Sequence, residues 1–171
     1  MRRLLIGIGL ILAGLPAFGG TRYSEFGPPP NGSFGKVGDW IGSGGLGLTI
    51  SPNLFLMSPQ LEYVYMPNVY IGPLIQLAPG EGGVLISTSA TIRTLLGKHP
   101  RVKPTVEAGL GFAVASSDFS SSAGVNIHFG MGVDYLLTSK ISLGTMIRAN
   151  FAPPMKTFYV SWPIFLGRFI L

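Results

Sequence analysis

The sequence predicts an all-β chain: an eight-stranded antiparallel up-and-down transmembrane β-barrel. Three observations carry this expectation. Apolar residues recur with a period of two in segment after segment. Only 11% of the 171 residues are charged, against 47% hydrophobic. The residues opposite each apolar row are mostly Gly, Ala and Ser rather than Lys and Glu. An ordinary soluble domain carries about 25% charged residues, so this strand protein has too few charges to clothe a wet exterior. The same deficit excludes a disordered or nucleic-acid-binding chain.

Residues 1–19 read as a secretory signal peptide. Met1-Arg2-Arg3 is the positive start, Leu4 to Leu15 the apolar run, and Pro16-Ala17-Phe18-Gly19 the small residues of a cleavage site. The run is too short for a spanning helix; a retained N-terminal anchor is the competing reading. Losing Arg2 and Arg3 lowers the net charge from +5 to +3, so the high pI rests on few groups. The chain has no cysteine, which excludes a disulfide framework and a lipid-modified Cys. No apolar run after the leader is long enough for a helical span.

Residues 20–39, rich in Gly and Pro with Pro28-Pro29-Pro30, are expected to be a flexible, poorly structured lead-in to a barrel domain over 40–171. Strands are predicted at 40–50, 54–65, 69–77, 84–96, 102–114, 125–135, 141–151 and 157–170. The clearest is 125–135, where Val125, Ile127, Phe129, Met131, Val133 and Tyr135 alternate with Asn126, His128, Gly130, Gly132 and Asp134. Segment 141–151 sorts Ile141, Leu143, Thr145, Ile147, Ala149 and Phe151 against Ser142, Gly144, Met146, Arg148 and Asn150. Segments 84–96 and 102–114 behave alike. The boundaries between 54 and 77 are weakest, and six or seven strands is the alternative count. The facing of 157–170 stays open, because apolar residues occupy both sides near Phe165, Leu166, Phe169 and Ile170.

Eleven residues at roughly 3.3 Å each span about 36 Å, which a tilt near 40° projects to about 28 Å, close to the roughly 25 Å apolar band of an outer-membrane barrel. Small residues suit a narrow interior and large apolar ones suit lipid, so the bulky row is placed outward. A soluble lipocalin-like barrel is the competitor. With the N-terminus in the periplasm, that side carries the turns 66–68, 97–101 and 137–140. The outer side carries 51–53, 78–83, 116–123 and 152–156, with Asp118 to Ser122 as the longest polar connection. Trp40, Tyr63, Tyr65, Tyr135, Phe151, Phe158 and Trp162 fall where interfacial aromatic belts belong. Pro59, Pro73, Pro104 and Pro163 fall inside predicted strands, although a closed barrel offers no free edge for a missing N–H.

The polar face carries Glu62, Arg93, Lys103, Glu107, His128, Asp134 and Arg148. Confined charges must be paired, so these seven are expected to form a polar network in the lumen, with Arg93–Glu107 or His128–Glu107 as pairs. No catalytic, cofactor or metal site emerges. His99 lies in a basic turn with Lys98 and Arg101, and nothing fixes Ser120, Ser121 or Ser122 against His128. His128 and Asp134 are too far apart along one strand to share a metal. The Gly-rich run Gly42 to Gly47 lacks the continuation of a phosphate loop.

The segments VEAGLGFAV (106–114) and FGMGVDYLLTSKISLG (129–144), with the return strand ending GRFIL (167–171), resemble the small outer-membrane β-barrel proteins of Gram-negative bacteria, the OmpA-like and OmpW-like group. The resemblance covers about a third of the chain well and most of it as pattern. It implies an outer-membrane location, membrane lipid and the barrel-assembly machinery as partners, and a monomer. The chain matches the group's terminal aromatic signal approximately: Leu171 is last, with Phe169 two before it and Phe165 six before it, so recognition by the assembly machinery is expected. Expected function is a structural or interaction role in the cell envelope. The alternatives are a narrow channel or lateral transporter for small hydrophobic molecules, and a lipid-modifying enzyme.

Overall fold

The computed structural model describes residues 34–80, 83–117, 120–153 and 157–171. The expected signal peptide and residues 20–33 lie outside the described residues. Eight strands follow one another: β1 (Trp40–Ile50), β2 (Leu54–Met66), β3 (Val69–Gly80), β4 (Gly83–Leu95), β5 (Val102–Ser117), β6 (Ser121–Leu136), β7 (Ile141–Ala152) and β8 (Thr157–Ile170). Each pairs antiparallel with its sequence neighbour, and β8 pairs with β1 to close the barrel. The eight-strand count therefore holds. No helix among the described residues is long and apolar enough to cross a membrane.

Period-two alternation sorts side chains as the sequence reading expects. Val125, Ile127, Phe129, Met131, Val133 and Tyr135 all point outward, with Phe129 67% exposed, while Asn126, His128 and Asp134 are buried. The exterior is thus a continuous apolar surface and the interior is polar, the arrangement of a transmembrane barrel. A water-soluble barrel needs the reverse. On β8 the open question resolves with Tyr159, Ser161, Leu166 and Arg168 inside and Phe158, Trp162, Phe165 and Phe169 outside. A register shift between β7 and β8 flips the phase of the strand, so that the adjacent Ile164 and Phe165 both face outward.

The start of β1, the end of β8 and the connections 67–68, 96–101 and 137–140 share one end of the barrel, hereafter the terminal end. The opposite, distal end carries 51–53, 81–82, 118–120 and 153–156. Two distal connections are shorter than expected. Strand pairing continues to Gly80↔Gly83 and to Ser116↔Ser121, so most of 78–83 and 116–123 is ladder rather than loop. Small and serine side chains there hide the strand period, because the backbone alone does the pairing.

The prolines now have a physical account. Pro59 and Pro73 both fall on the β2–β3 seam. Between Met57↔Leu77 and Tyr63↔Ile71 only Gln60↔Leu74 is paired there, the stretch from which both N–H donors are missing. Pro104 turns its carbonyl toward β4, accepting from Leu96 N at 2.7 Å, and lies beyond the last β4–β5 pair, Leu95↔Thr105. Pro163 sits within the shifts that interrupt both ladders of β8.

Both ends of the interior are stoppered by apolar clusters. At the terminal end Phe34, Ile41, Val64, Tyr70, Leu95 and Leu136 pack together. Phe34 belongs to the segment expected to be poorly structured, yet it is buried, and its carbonyl accepts a bond from Tyr70 Oη at 2.8 Å. Leu56, Ala78, Leu85 and Tyr159 form the apolar cluster toward the distal end. Polar residues fill the space between.

Candidate functional site: the charged lumen

Inward-facing positions on β2, β4, β6 and β8 carry Glu62, Arg93, Asp134 and Arg168, all buried. Arg93 donates to Glu62 through Nε at 2.6 Å and Nη2 at 2.7 Å, and to Asp134 through Nη1 at 3.2 Å. Arg168 Nη1 donates to the other oxygen of Asp134, and its Nε stands 3.8 Å from Glu62. The four groups therefore form a closed ring of alternating sign, each contact skipping one strand. Tyr70, on the strand between Glu62 and Arg93, lies flat beneath the guanidinium with its ring centroid 4.2 Å away. Thr105 Oγ1 adds a bond to Asp134 at 2.9 Å, and Ser43 Oγ one to Glu62 at 3.4 Å.

A second cluster lies one layer toward the distal end, on β5, β6 and β7. Arg148 on β7 donates to Glu107 on β5 through Nε at 2.6 Å and Nη2 at 3.4 Å. His128 Nε2 stands 3.3 Å from the same carboxylate. Glycine makes both approaches possible. A Cβ on Gly130 would lie 3.2 Å from Arg148 Cγ and 3.4 Å from Glu107 Cβ; one on Gly109 would run into the His128 ring. Gln60 Nε2 ties the two layers together, reaching Glu107 at 3.1 Å and Glu62 at 3.4 Å. Beyond Glu107, neutral amides and hydroxyls take over: Gln76–Asn150 at 3.0 Å, Asn150–Ser161 at 3.0 Å and Asn126–Ser87 at 2.8 Å.

All seven polar-face residues singled out from the sequence, Glu62, Arg93, Lys103, Glu107, His128, Asp134 and Arg148, are buried in the interior. Six of them join the two clusters. Lys103 does not: its Nζ donates to Gly97 O at 3.4 Å, at the terminal end. The pair Arg93–Glu107 is a correction. The two are direct cross-strand partners, but Arg93 is taken by Glu62 and Asp134 and Glu107 by Arg148. In so narrow a barrel a long arginine side chain crosses the lumen to a strand two away, which neighbour-strand reasoning does not foresee. The expected contact of His128 with Glu107 is present. Sequence reasoning missed Arg168 and Gln60; inward facing on β8 would have supplied the first.

Three buried carboxylates thus meet three buried arginines, with Lys103 the additional buried cation. The three carboxylates and three arginines of this set balance one another and can hold strands in register, with Lys103 apart from them. Nothing in it forms a nucleophile, and no metal-binding group of His, Asp and Glu occurs among the described residues. Ser121 and Ser122 are exposed at the start of β6, whereas His128 is fully buried. On the exterior, a groove of about 940 Å³ runs over β3, β4 and β5, lined by residues including Tyr63, Pro73, Ala90, Leu110 and Phe112. Leu74 and Thr91, which also line it, are buried, as is Gln60 beside Thr91.

No protein-family model matches the chain, and no curated protein does either. Its fold is shared with solved membrane barrels. Neisserial surface protein A matches with a TM-score of 0.64 at 16% identity, covering 78% of this chain and 96% of that one. The N-terminal β-barrel domain of Pseudomonas aeruginosa OprF matches with a TM-score of 0.60, also at 16% identity over 78% and 96%. The outer membrane enzyme PagL matches with a TM-score of 0.53 at 16% identity over 77% and 99%. At these identities the likeness is one of fold.

Proposed function

We propose that this chain, a closed transmembrane barrel with an ion-paired interior, serves the outer membrane as a sealed structural or interaction barrel, its terminal end toward the periplasm. One observation carries the reading: ion pairs cross the lumen from β2 round to β8, and apolar clusters close it above and below. An eight-stranded barrel has an interior only wide enough for side chains, and here those side chains bond to one another. A channel needs an unblocked axis. A lateral transporter needs the exterior groove to communicate with the lumen; Leu74 and Thr91, which line that groove, are buried, and Thr91 Oγ1 is tied to Gln60 Nε2 at 3.1 Å and to Gly72 O at 2.8 Å. PagL is an enzyme on this fold; in this chain His128 is turned inward onto Glu107, out of reach of lipid.

Conductance tests the reading directly. The chain, refolded into a planar bilayer and verified as folded by its altered electrophoretic mobility before boiling, is expected to stay silent. Regular single-channel steps in the unmodified protein would overturn the sealed-barrel function in favour of passage. For the enzymatic alternative, the lipid composition of vesicles holding the folded chain is expected to remain unchanged on incubation.

A further inference from the structure

Among the described residues, charge outside the lumen is distributed unevenly. Every described charged side chain that is not in the interior, namely Lys36, Asp39, Lys98, Arg101 and Lys140, lies at the terminal end. Four of the five are cationic, and the carboxylate of Asp39 already accepts the Lys36 amide at 2.8 Å. The basic turn is held in shape: His99 Nδ1 accepts the amides of Arg101 at 3.2 Å and Val102 at 2.9 Å. Arg101 Nη1 reaches the hydroxyl of Tyr135 at 3.4 Å. Tyr135 is one of a set of rings at this level with Trp40, Tyr63 and Tyr65, and Trp40 and Tyr63 pack at 5.3 Å between centroids. Amphipathic rings of this kind settle where hydrocarbon meets headgroups. The cations therefore stand at headgroup height, directly beside the apolar band.

We propose that the terminal-end rim is a docking surface for anionic phospholipid headgroups, with Lys36, Lys98 and Arg101 supplying the attraction. Cations near a membrane surface attract anionic lipid within a Debye length, and an arginine presents its donors in a fixed fork that suits a phosphate. Phospholipid rather than a glycolipid phosphate is the occupant because this end faces the periplasm in the reading above. That clause rests on the proposed orientation; the headgroup preference itself does not.

The full chain is refolded into vesicles of phosphatidylcholine containing spin-labelled phosphatidylglycerol or spin-labelled phosphatidylcholine, and boundary-lipid spectra give their relative association. At low salt phosphatidylglycerol is expected to associate severalfold more strongly. The preference is expected to fall toward parity in about 0.5 M salt, where screening is short-ranged, and in the combined variant Lys36→Gln, Lys98→Gln, Arg101→Gln. Equal association in the unmodified chain overturns the proposal, as does a preference that survives both salt and substitution. If the variant fails to fold, the salt series on the unmodified chain decides alone. Retention on purified peptidoglycan without any lipid preference overturns it in favour of the wall polymer. Vesicles read headgroup preference whichever way the barrel inserts, so failure here is distinguishable from a wrong orientation, which tag accessibility in cells reports separately.

Discussion

Cutting the pair between Glu107 and Arg148 on one side only should destabilise the barrel far more than removing it whole. Arg148 is fully buried and its guanidinium is held by Glu107 at 2.6 Å; the same carboxylate supports Gln60 at 3.1 Å and stands 3.3 Å from His128. Glu107→Ala strands a cation in a lumen closed at both ends. Breaking a buried pair from one side costs about 3–5 kcal/mol, and the same range is expected for Arg148→Met, which leaves the carboxylate with weaker partners. Replacing both, as Glu107→Leu with Arg148→Met, removes desolvation and attraction together and should lie within about 2 kcal/mol of the parent. The coupling between the two sites is then several kcal/mol and opposes additivity. Urea unfolding from vesicles measures it, followed by the fluorescence of Trp40 and Trp162 and by the folded band on unboiled gels. Single variants within about 1 kcal/mol of the parent, or a double variant costing the sum of the singles, would refute the claim that these charges depend on each other.

Gly109→Ala places a methyl group against the His128 ring, 2.7 Å from Nε2, and should cost about 1–3 kcal/mol by overpacking; combining it with His128→Ala should restore most of the loss in the same urea titration. Phe129→Arg exposes a guanidinium to hydrocarbon at the middle of β6 and should cost about 2–4 kcal/mol, whereas a neutral or stabilising effect would mean that the apolar row does not face lipid. Amide hydrogen exchange should be faster along β2–β3, where Pro59 and Pro73 thin the ladder, than along β5–β6, whose pairing runs unbroken from Val102↔Tyr135 to Ser116↔Ser121; equal protection of the two seams would refute this. Phe34→Ala should lose about 3–5 kcal/mol if the side chain is the terminal stopper it resembles, read by the same unfolding curve.

Architecture was legible in the sequence because a strand states its facing every second residue. Along 125–135 no other period accommodates Val125 through Tyr135 on one side and Asn126 through Asp134 on the other. Where small residues flank the bilayer band, as in Ser116 and Ser121, the signal fades although the backbone still pairs. Facing also revealed which charges enter the lumen, but not which meet. Arg93 passes over Tyr70 to Glu62 rather than settling on its neighbour Glu107. Partner choice depends on chords across a closed ring, and a linear reading contains no chords. Phe34 escaped for a different reason: an aromatic in a Gly/Pro-rich stretch has no periodicity to announce its burial.

The position of Arg168 bears on how such a chain is completed. It lies on the last strand, and it brings the third guanidinium to the buried carboxylates while β8 hydrogen-bonds to β1. A chain lacking that strand would be left with two raw sheet edges and an acid short of its counterion, both immersed in a low-dielectric slab. Electrostatic bookkeeping and edge saturation thus come right in the same final step. A barrel without β8 should have no stable resting state in the bilayer, so that closure itself reports whether this strand is in place.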